Sequence, residues 1–289
     1  MMLLLYGIVY GTLYGLSLLP FPVLYALSSA LYYPLYYCVR YRRKIVRQNL
    51  LASFPDRNLK EIIVIEKRFY AFFCDYVVET LKLLSISHDA MRRRMTFGGM
   101  EAMKEEIIRC GSCCLYLGHY GNWEWISSLG MYMGGAIHAG QIYMPLQNPV
   151  FDRLFLHLRG RFHAENISWK NTLRRVITLS RANKPFIIGF ISDQTPQAHS
   201  IHHKTEFLHR QTSAITGAER IARQLKSSVF YADITRIKRG YYHCELIPVT
   251  ASPQDMPEFE LTDRYFRLLE ATIRRNPPLW LWSHNRWKR

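Results

Sequence analysis

The first 39 residues of this 289-residue chain contain no charged side chain. That lack excludes an ordinary solvated N-terminal arm. Acidic residues are scarce throughout, 22 Asp and Glu against 38 Lys and Arg, for a formal net charge of +16. Such a surplus points to a polyanionic partner: nucleic acid, an anionic membrane, or an acidic protein or substrate. Nucleic acid is set aside because the basic residues are dispersed and no nucleic-acid-binding module is visible. Gly-x-Ser-x-Gly is missing, which excludes the nucleophile elbow of the α/β-hydrolases. The six cysteines (Cys38, Cys74, Cys110, Cys113, Cys114, Cys244) lie mostly in apolar surroundings. Cys113 and Cys114 are neighbours in a predicted strand and so point to opposite faces. Packed, reduced thiols of a cytosolic environment are expected, rather than a disulfide framework or a zinc site. Internal repeats and low-complexity linkers are also missing.

What is present begins with a membrane signal. Met1 to Leu19 is rich in Leu and Tyr and is broken by Pro20-Phe21-Pro22. As one helix, those first residues would span roughly 28 Å at about 1.5 Å per residue, near the thickness of a hydrocarbon core. Val23 to Val39 is again apolar, with Tyr32, Tyr33, Tyr36 and Tyr37 near its end, and Arg40-Tyr41-Arg42-Arg43-Lys44 and Arg47 follow. The positive-inside tendency places that run, and everything after it, in the cytoplasm. A cleaved signal peptide fits less well, because no basic segment opens the chain and a second apolar stretch follows. Residues 1–39 are therefore expected to be an uncleaved membrane anchor, and residues 40–289 a domain on the cytoplasmic face of that membrane. Whether 23–39 spans or lies in the interface is open at this point.

Beyond the anchor, Asn58 to Leu84 has apolar residues at helical spacing, among them Phe69, Phe72, Phe73, Tyr76 and Val77. Strands are expected at Cys113–Leu117, Ala136–Tyr143 and Phe186–Ser192, a short strand or extended segment at Leu279–Trp282, and a hairpin from Ser228–Ile237 and Tyr241–Pro248 around Lys238-Arg239-Gly240. Helices are expected between them, including Asn122–Tyr132, Pro149–Arg159 with Gly160 as its C-cap, Lys170–Ala182, Ala214–Leu225 and Arg264–Arg274. The alternation implies an α/β fold: a mixed, largely parallel sheet flanked by helices, with the N-terminal anchoring segment added to it.

Candidate chemistry sits at the strand ends. In Leu117-Gly118-His119-Tyr120-Gly121-Asn122-Trp123-Glu124, an imidazole lies near a carboxylate just after a strand. A neutral His119 can take a proton from a hydroxyl, and Glu124 on its other ring nitrogen would fix the tautomer. With no serine or cysteine nucleophile in a matching elbow, the nucleophile is the substrate's own hydroxyl. Asp193 follows another strand, and in a parallel sheet both residues face one crevice. Arg159 and Arg161 could meet an anionic substrate. Lys170, Arg174 and Arg175 read as a solvated face, and His199, His202, His203 and His209 as loop residues rather than a zinc set.

Taken together, these blocks resemble the late-acting lipid A acyltransferases of the lysophospholipid acyltransferase superfamily over nearly the whole chain. The resemblance rests on His119-x4-Glu124, on Asn148-Pro149 leading to Arg159-Gly160-Arg161, and on Ser192-Asp193-Gln194. It extends to Phe207-Leu208 with Ala214, Thr216 and Gly217, and to Pro277-Pro278-Leu279-Trp280-Leu281-Trp282-Ser283-His284-Asn285-Arg286-Trp287-Lys288. Leu208-His209 departs from the Phe-Gly often found there. The resemblance implies catalysis by His119 oriented by Glu124, with Asn122, Arg159, Arg161 and Asp193 as substrate-binding residues, Asp193 supporting Arg159. It implies an acyl carrier protein as donor and an anionic glycolipid as acceptor, with no metal or cofactor. Ester formation on the 3-hydroxyl of an acyl chain of a lipid A precursor is the leading reading. Acylation of a 3-hydroxyacyl amino-acid lipid or another membrane lysolipid is the alternative.

Overall fold

Proline breaks the apolar N-terminal run where the sequence leads one to expect. The computed structural model describes residues 2–288; the side chains of residues 2–4 and of His199 lie outside the described set. Helices α1 (Met2–Ser17) and α2 (Phe21–Tyr33) flank the Pro20 break, and a wide helical turn continues α2 over Pro34–Val39. The two apolar halves meet at 110°, and among the described residues no single helix is long and apolar enough to cross a membrane. Helix α2 is fastened to the rest of the chain by polar contacts. Tyr25 donates to Glu79 (2.9 Å) and Ser28 donates to Asp75 (2.7 Å), while just before α2 Lys82 donates to the Ser17 and Leu19 carbonyls. The segment left open by sequence reasoning therefore lies against the following helices.

After α3 (Arg43–Ser53) comes the long α4 (Leu59–Lys82), which opens with a capping box: Asn58 accepts from the Glu61 N–H and Glu61 accepts from the Asn58 N–H. The chain continues through α5 (His88–Arg94), β1 (Met95–Gly98), α6 (Met100–Cys110) and β2 (Ser112–Leu117). A ten-residue 3-10 segment, Trp123–Tyr132, stands where an α-helix is expected, followed by β3 (His138–Tyr143), α7 (Pro149–Gly160) and β4 (Glu165–Ser168). Next are α8 (Thr172–Arg181), β5 (Phe186–Ile191), the small hairpin of β6 (Lys204–Phe207) and β7 (Arg210–Ser213), and α9 (Gly217–Leu225). The long hairpin of β8 (Ser228–Lys238) and β9 (Tyr241–Thr250) leads to α10 (Glu260–Arg275).

Seven strands form one sheet in the order β1-β9-β8-β2-β5-β3-β4, and every pairing except β8–β9 is parallel. Central β2 is buried along its whole length, as a parallel strand covered on both faces must be. Helix α1 runs beside α7 in the same direction: Arg153 lies 4.5 Å over the Tyr6 ring, and His157 meets the Tyr10 ring edge-on at 5.5 Å. Both pairs advance by four residues, one helical turn on each helix.

Two expectations need correction. Leu279–Trp282 is not a strand: Pro277-Pro278 supply no N–H, so a 3-10 turn forms over Pro277–Leu279 and a single bridge joins Trp280 to Tyr120. Gly160 is not the C-cap of α7; the helix runs through it and Arg161 caps with helical angles. The β6–β7 hairpin turns on Leu208 (φ 52°) and His209 (φ 63°), with none of the Asn-Gly chemistry that marks such turns. A β-branched side chain cannot hold that conformation cheaply, so His209→Val should cost about 1–2 kcal/mol while His209→Gly changes little. Thermal denaturation of the two variants distinguishes these outcomes.

Candidate active site

Parallel pairing of β2 with β5 sets Leu117 opposite Ile191. Two residues further along each chain stand His119 and Asp193, beyond the carboxyl ends of neighbouring strands, where open α/β sheets bind their ligands. The two join directly. The Nδ1–H of His119 donates to Asp193 Oδ1 at 2.6 Å, and the backbone N–H of His119 donates to Asp193 Oδ2 at 2.8 Å. The Trp280 indole N–H also donates to Oδ2, at 2.8 Å. Burial alone would raise the pKa of Asp193; the His119 charge and these donors outweigh it and hold the carboxyl at about 2. A fixed anion on Nδ1 selects the tautomer with the proton there and leaves Nε2 as a free base. His119 keeps 18% of its side chain exposed while Asp193 keeps 2%. Among the described residues, the side chain within hydrogen-bond reach of Nε2 is the Gln194 carboxamide, at 3.3 Å.

This geometry exchanges the carboxylates of the sequence reading. Glu124 does not meet His119; it holds Arg159, with Nε to Oε2 at 2.8 Å and Nη2 to Oε1 at 2.5 Å. Asp193 holds His119, not Arg159. The Glu124–Arg159 pair is nearly buried, with Glu124 4% exposed and Arg159 22%. It adjoins His119 through aromatic rings. Trp123 stacks on Tyr76 at 4.1 Å and meets the His119 ring edge-on at 5.2 Å.

Asn122 and Arg161 are not placed to bind substrate. Asn122 is fully buried; its NH2 donates to Glu79 Oε2 at 2.7 Å, and its Oδ1 accepts the Trp125 N–H at 3.2 Å, capping the 3-10 segment. Arg161 donates to the Leu83 carbonyl and, at 3.0 Å, to the Ile86 carbonyl, so it seals the end of α4. Of the loop histidines, His203 bonds Asp263 (2.7 Å), His209 bonds Arg274 (2.9 Å), His202 is exposed, and His199 lies outside the described side chains. The thiols of Cys113 and Cys114 are buried, and burial pushes Cys114 up to about 12.

Sequence reasoning missed Trp280, Gln194, His284 and Glu79 as site residues. His119, Asp193, Gln194, Trp280, Leu281 and His284 line one small crevice. Burial lowers the His284 pKa to about 4, which keeps that ring neutral beside the base. Gly118 permits the approach of α10: a Cβ there would stand 2.6 Å from Leu269 Cδ1. Glu79 is the buried hub behind the site, accepting from Tyr25, Asn122 and Tyr242. Burial raises its pKa to about 7, against the pull of Tyr242, Asn122, Arg236 and Tyr25. A raised carboxyl favours the fold below about pH 4.5, and that contribution fades as pH climbs through 7. Glu79→Gln should therefore flatten the loss of stability between those pH values, a difference on the order of 3 kcal/mol. Denaturant melts of both proteins across that range test it; parallel curves would contradict it.

No curated protein matches the chain. The family model for bacterial lipid A biosynthesis acyltransferases matches residues 2–289. With that match over its length, and with a histidine–carboxylate pair at the carboxyl ends of adjacent strands, the chain belongs to the bacterial lipid A biosynthesis acyltransferase family.

Proposed function

We propose that the protein moves a fatty acyl chain from acyl carrier protein to the 3-hydroxyl of an acyl chain on a phosphorylated lipid A precursor. The single observation that carries the mechanism is the Asp193–His119 pair, with Nδ1 tied to the carboxylate and Nε2 turned to the crevice. Nε2 takes the proton of the acceptor hydroxyl, displacing the Gln194 carboxamide from its side. The alkoxide oxygen attacks the thioester carbonyl and forms a tetrahedral intermediate. Its collapse breaks the C–S bond, and the leaving thiolate regains the proton from the His119 imidazolium. Asp193 supports that transient cation without taking the proton. Ester and free carrier thiol are the products, with no acyl-enzyme on the path.

Membrane residence rests on the N-terminal surface. Leu5, Ile8, Leu16 and Leu18 are exposed from α1 onward, as are Val23, Leu27, Leu31, Tyr33, Tyr37 and Val39 along the next segment. Met144 and Leu146, in the loop before α7, and Phe151 in its first turn are exposed as well. On this reading residues 1–39 anchor the enzyme at the cytoplasmic face of the inner membrane, with 40–289 as the catalytic domain. Of the basic run, Arg43 and Arg47 are spent on Glu66, while Arg40 and Lys44 remain exposed for anionic head groups.

The test is transfer itself: purified enzyme, acyl carrier protein thioester and a lipid A precursor, with mass spectrometry reading one added acyl chain. His119→Ala should lower the rate on the order of 10²–10⁴-fold in a folded, membrane-bound protein. Near-wild-type turnover by that variant would refute the base. Transfer only to a 3-hydroxyacyl amino-acid lipid would refute the acceptor and leave the chemistry standing.

A further inference from the structure

Neither arginine expected at the site is free for the phosphates of the proposed acceptor. Arg159 is held by Glu124, and Arg161 by backbone carbonyls. A second cavity, of about 230 Å³, is lined by the same C-terminal segment as the crevice, by Pro278 and Leu279 where the crevice has Trp280 and Leu281. Arg68, Phe72 and Asp75 of α4, Arg236 of β8, and Asn276, Pro278 and Leu279 are among its walls. At about 30 Å³ per water it has room for roughly eight waters, enough for a phosphate group with part of a sugar.

Its charge is unbalanced. Among the described residues Asp75 is the one carboxylate in the lining, and both Arg236 (2.8 Å) and Arg239 (2.5 Å) already neutralise it. Arg68 is exposed and has no side-chain or backbone partner among the described residues. Arg236 uses Nη2 on Asp75, while its buried Nε has no partner among the described residues. Among the described residues the lining thus carries two guanidiniums, Arg68 and Arg236, against one carboxylate that Arg239 also neutralises, and both Arg68 and Arg236 retain unused donors.

The cavity is also close to the base. Its wall at Leu279 accepts the Gly121 N–H at 2.9 Å, the Asn276 carbonyl accepts the Tyr120 hydroxyl at 3.2 Å, and Leu281 N–H donates to the His119 carbonyl at 3.0 Å. Gly121 is two residues from His119, about 7 Å along extended backbone. Pro278 and Leu279 line this cavity while Trp280 and Leu281 line the crevice, so one short segment contributes to both.

We propose that this cavity binds a phosphate monoester of the acceptor headgroup through Arg68 and Arg236, which holds the glycolipid while its acyl hydroxyl reaches His119. This deepens the acceptor assignment and rests on it. Charge-assisted contacts of this kind are worth roughly 10–150-fold in binding.

The experiment has a binding arm and a kinetic arm. Isothermal titration of the full-length protein with glucosamine 1-phosphate, glucosamine and inorganic phosphate comes first. Glucosamine 1-phosphate should bind more tightly than inorganic phosphate, glucosamine should not bind, and Arg68→Gln should weaken the phosphorylated sugar about 10–100-fold. Arg68→Lys should recover part of the loss, and Arg181→Gln, an equal charge change on exposed α8, should have no effect. In the kinetic arm, Arg68→Gln should raise the KM for a phosphorylated precursor but not for the same lipid treated with phosphatase, nor for the donor. Equal effects on both lipids, or unchanged binding in Arg68→Gln, would overturn the proposal. Equal affinity for inorganic phosphate and the sugar phosphate would overturn its assignment to a headgroup. Binding lost in Arg68→Gln by a protein that never acylates the precursor would leave the cavity standing and sink the acceptor reading.

Discussion

Asp193→Asn should lower kcat by about 10²–10⁴-fold, close to the effect of removing His119 itself. The reason is a count of donors. Oδ2 of Asp193 accepts two N–H groups, from the His119 backbone and the Trp280 indole, whereas Oδ1 accepts one, from His119 Nδ1. An asparagine keeps its single carbonyl oxygen where two donors converge and turns its NH2 toward Nδ1. Nδ1 must then accept, the proton moves to Nε2, and the base is lost. The alternative rotamer keeps the tautomer but sets an NH2 against two buried donors, at a cost of about 1–3 kcal/mol for groups left unsatisfied. Steady-state kinetics with the precursor, together with circular dichroism and a thermal melt to show a folded protein, decide the matter. A folded Asp193→Asn enzyme within about threefold of wild type would mean that Asp193 does not set the tautomer. Trp280→Phe removes one of the two donors and so should relieve the asparagine conflict, making the double variant more active than Asp193→Asn alone.

That prediction depends on a pairing that local pattern could not reveal. His119 was legible because a histidine followed a buried strand, and Asp193 because it closed another. Both strands are apolar runs whose character is set within a few residues, and their parallel pairing follows from alternation with helices. Which carboxylate reaches Nδ1 is a different kind of question. Glu124 is five residues from His119 in the chain, but the intervening turn and Trp123 carry it away; Asp193 is 74 residues away and adjacent. Strand register decides the contest, and no local spacing encodes register. Short elements were lost for a similar reason: β1 and β4 have four residues each, too few for alternation to rise above chance. Asn122 and Arg161 stood in a motif that suggested a ligand site, yet both serve ends of helices. Trp280 stood in the C-terminal block of the family resemblance without a role assigned to it, and Glu79 had no signal beyond being a carboxyl in an apolar stretch, though a buried indole N–H or carboxyl must find a partner somewhere.

Glu124→Ala should destabilise the protein by about 3–5 kcal/mol, because it strands the Arg159 guanidinium in a mostly buried position. Burial works against that charge, and Glu124 more than compensates, so the Arg159 pKa is raised rather than lowered. Arg159→Ala should cost a similar amount, leaving Glu124 as a buried anion beside Tyr76. Removing both together, as Glu124→Gln with Arg159→Met, should recover most of the loss, since neither charge is then unpaired. A denaturant-melt cycle over these variants measures the coupling, and strictly additive losses would mean that the pair contributes nothing as a pair. The same variants separate this carboxylate from Asp193 in function. If Glu124 acts only by holding Arg159 and the Trp123–Tyr76 stack, Glu124→Gln will lower activity through position, with the shape of the pH–rate profile intact. Asp193→Asn, which alters the tautomer of the base, should change that shape. A Glu124→Gln enzyme whose profile moved as Asp193→Asn moves it would return Glu124 to the side of the imidazole, against the 2.5 and 2.8 Å contacts that now tie it to Arg159.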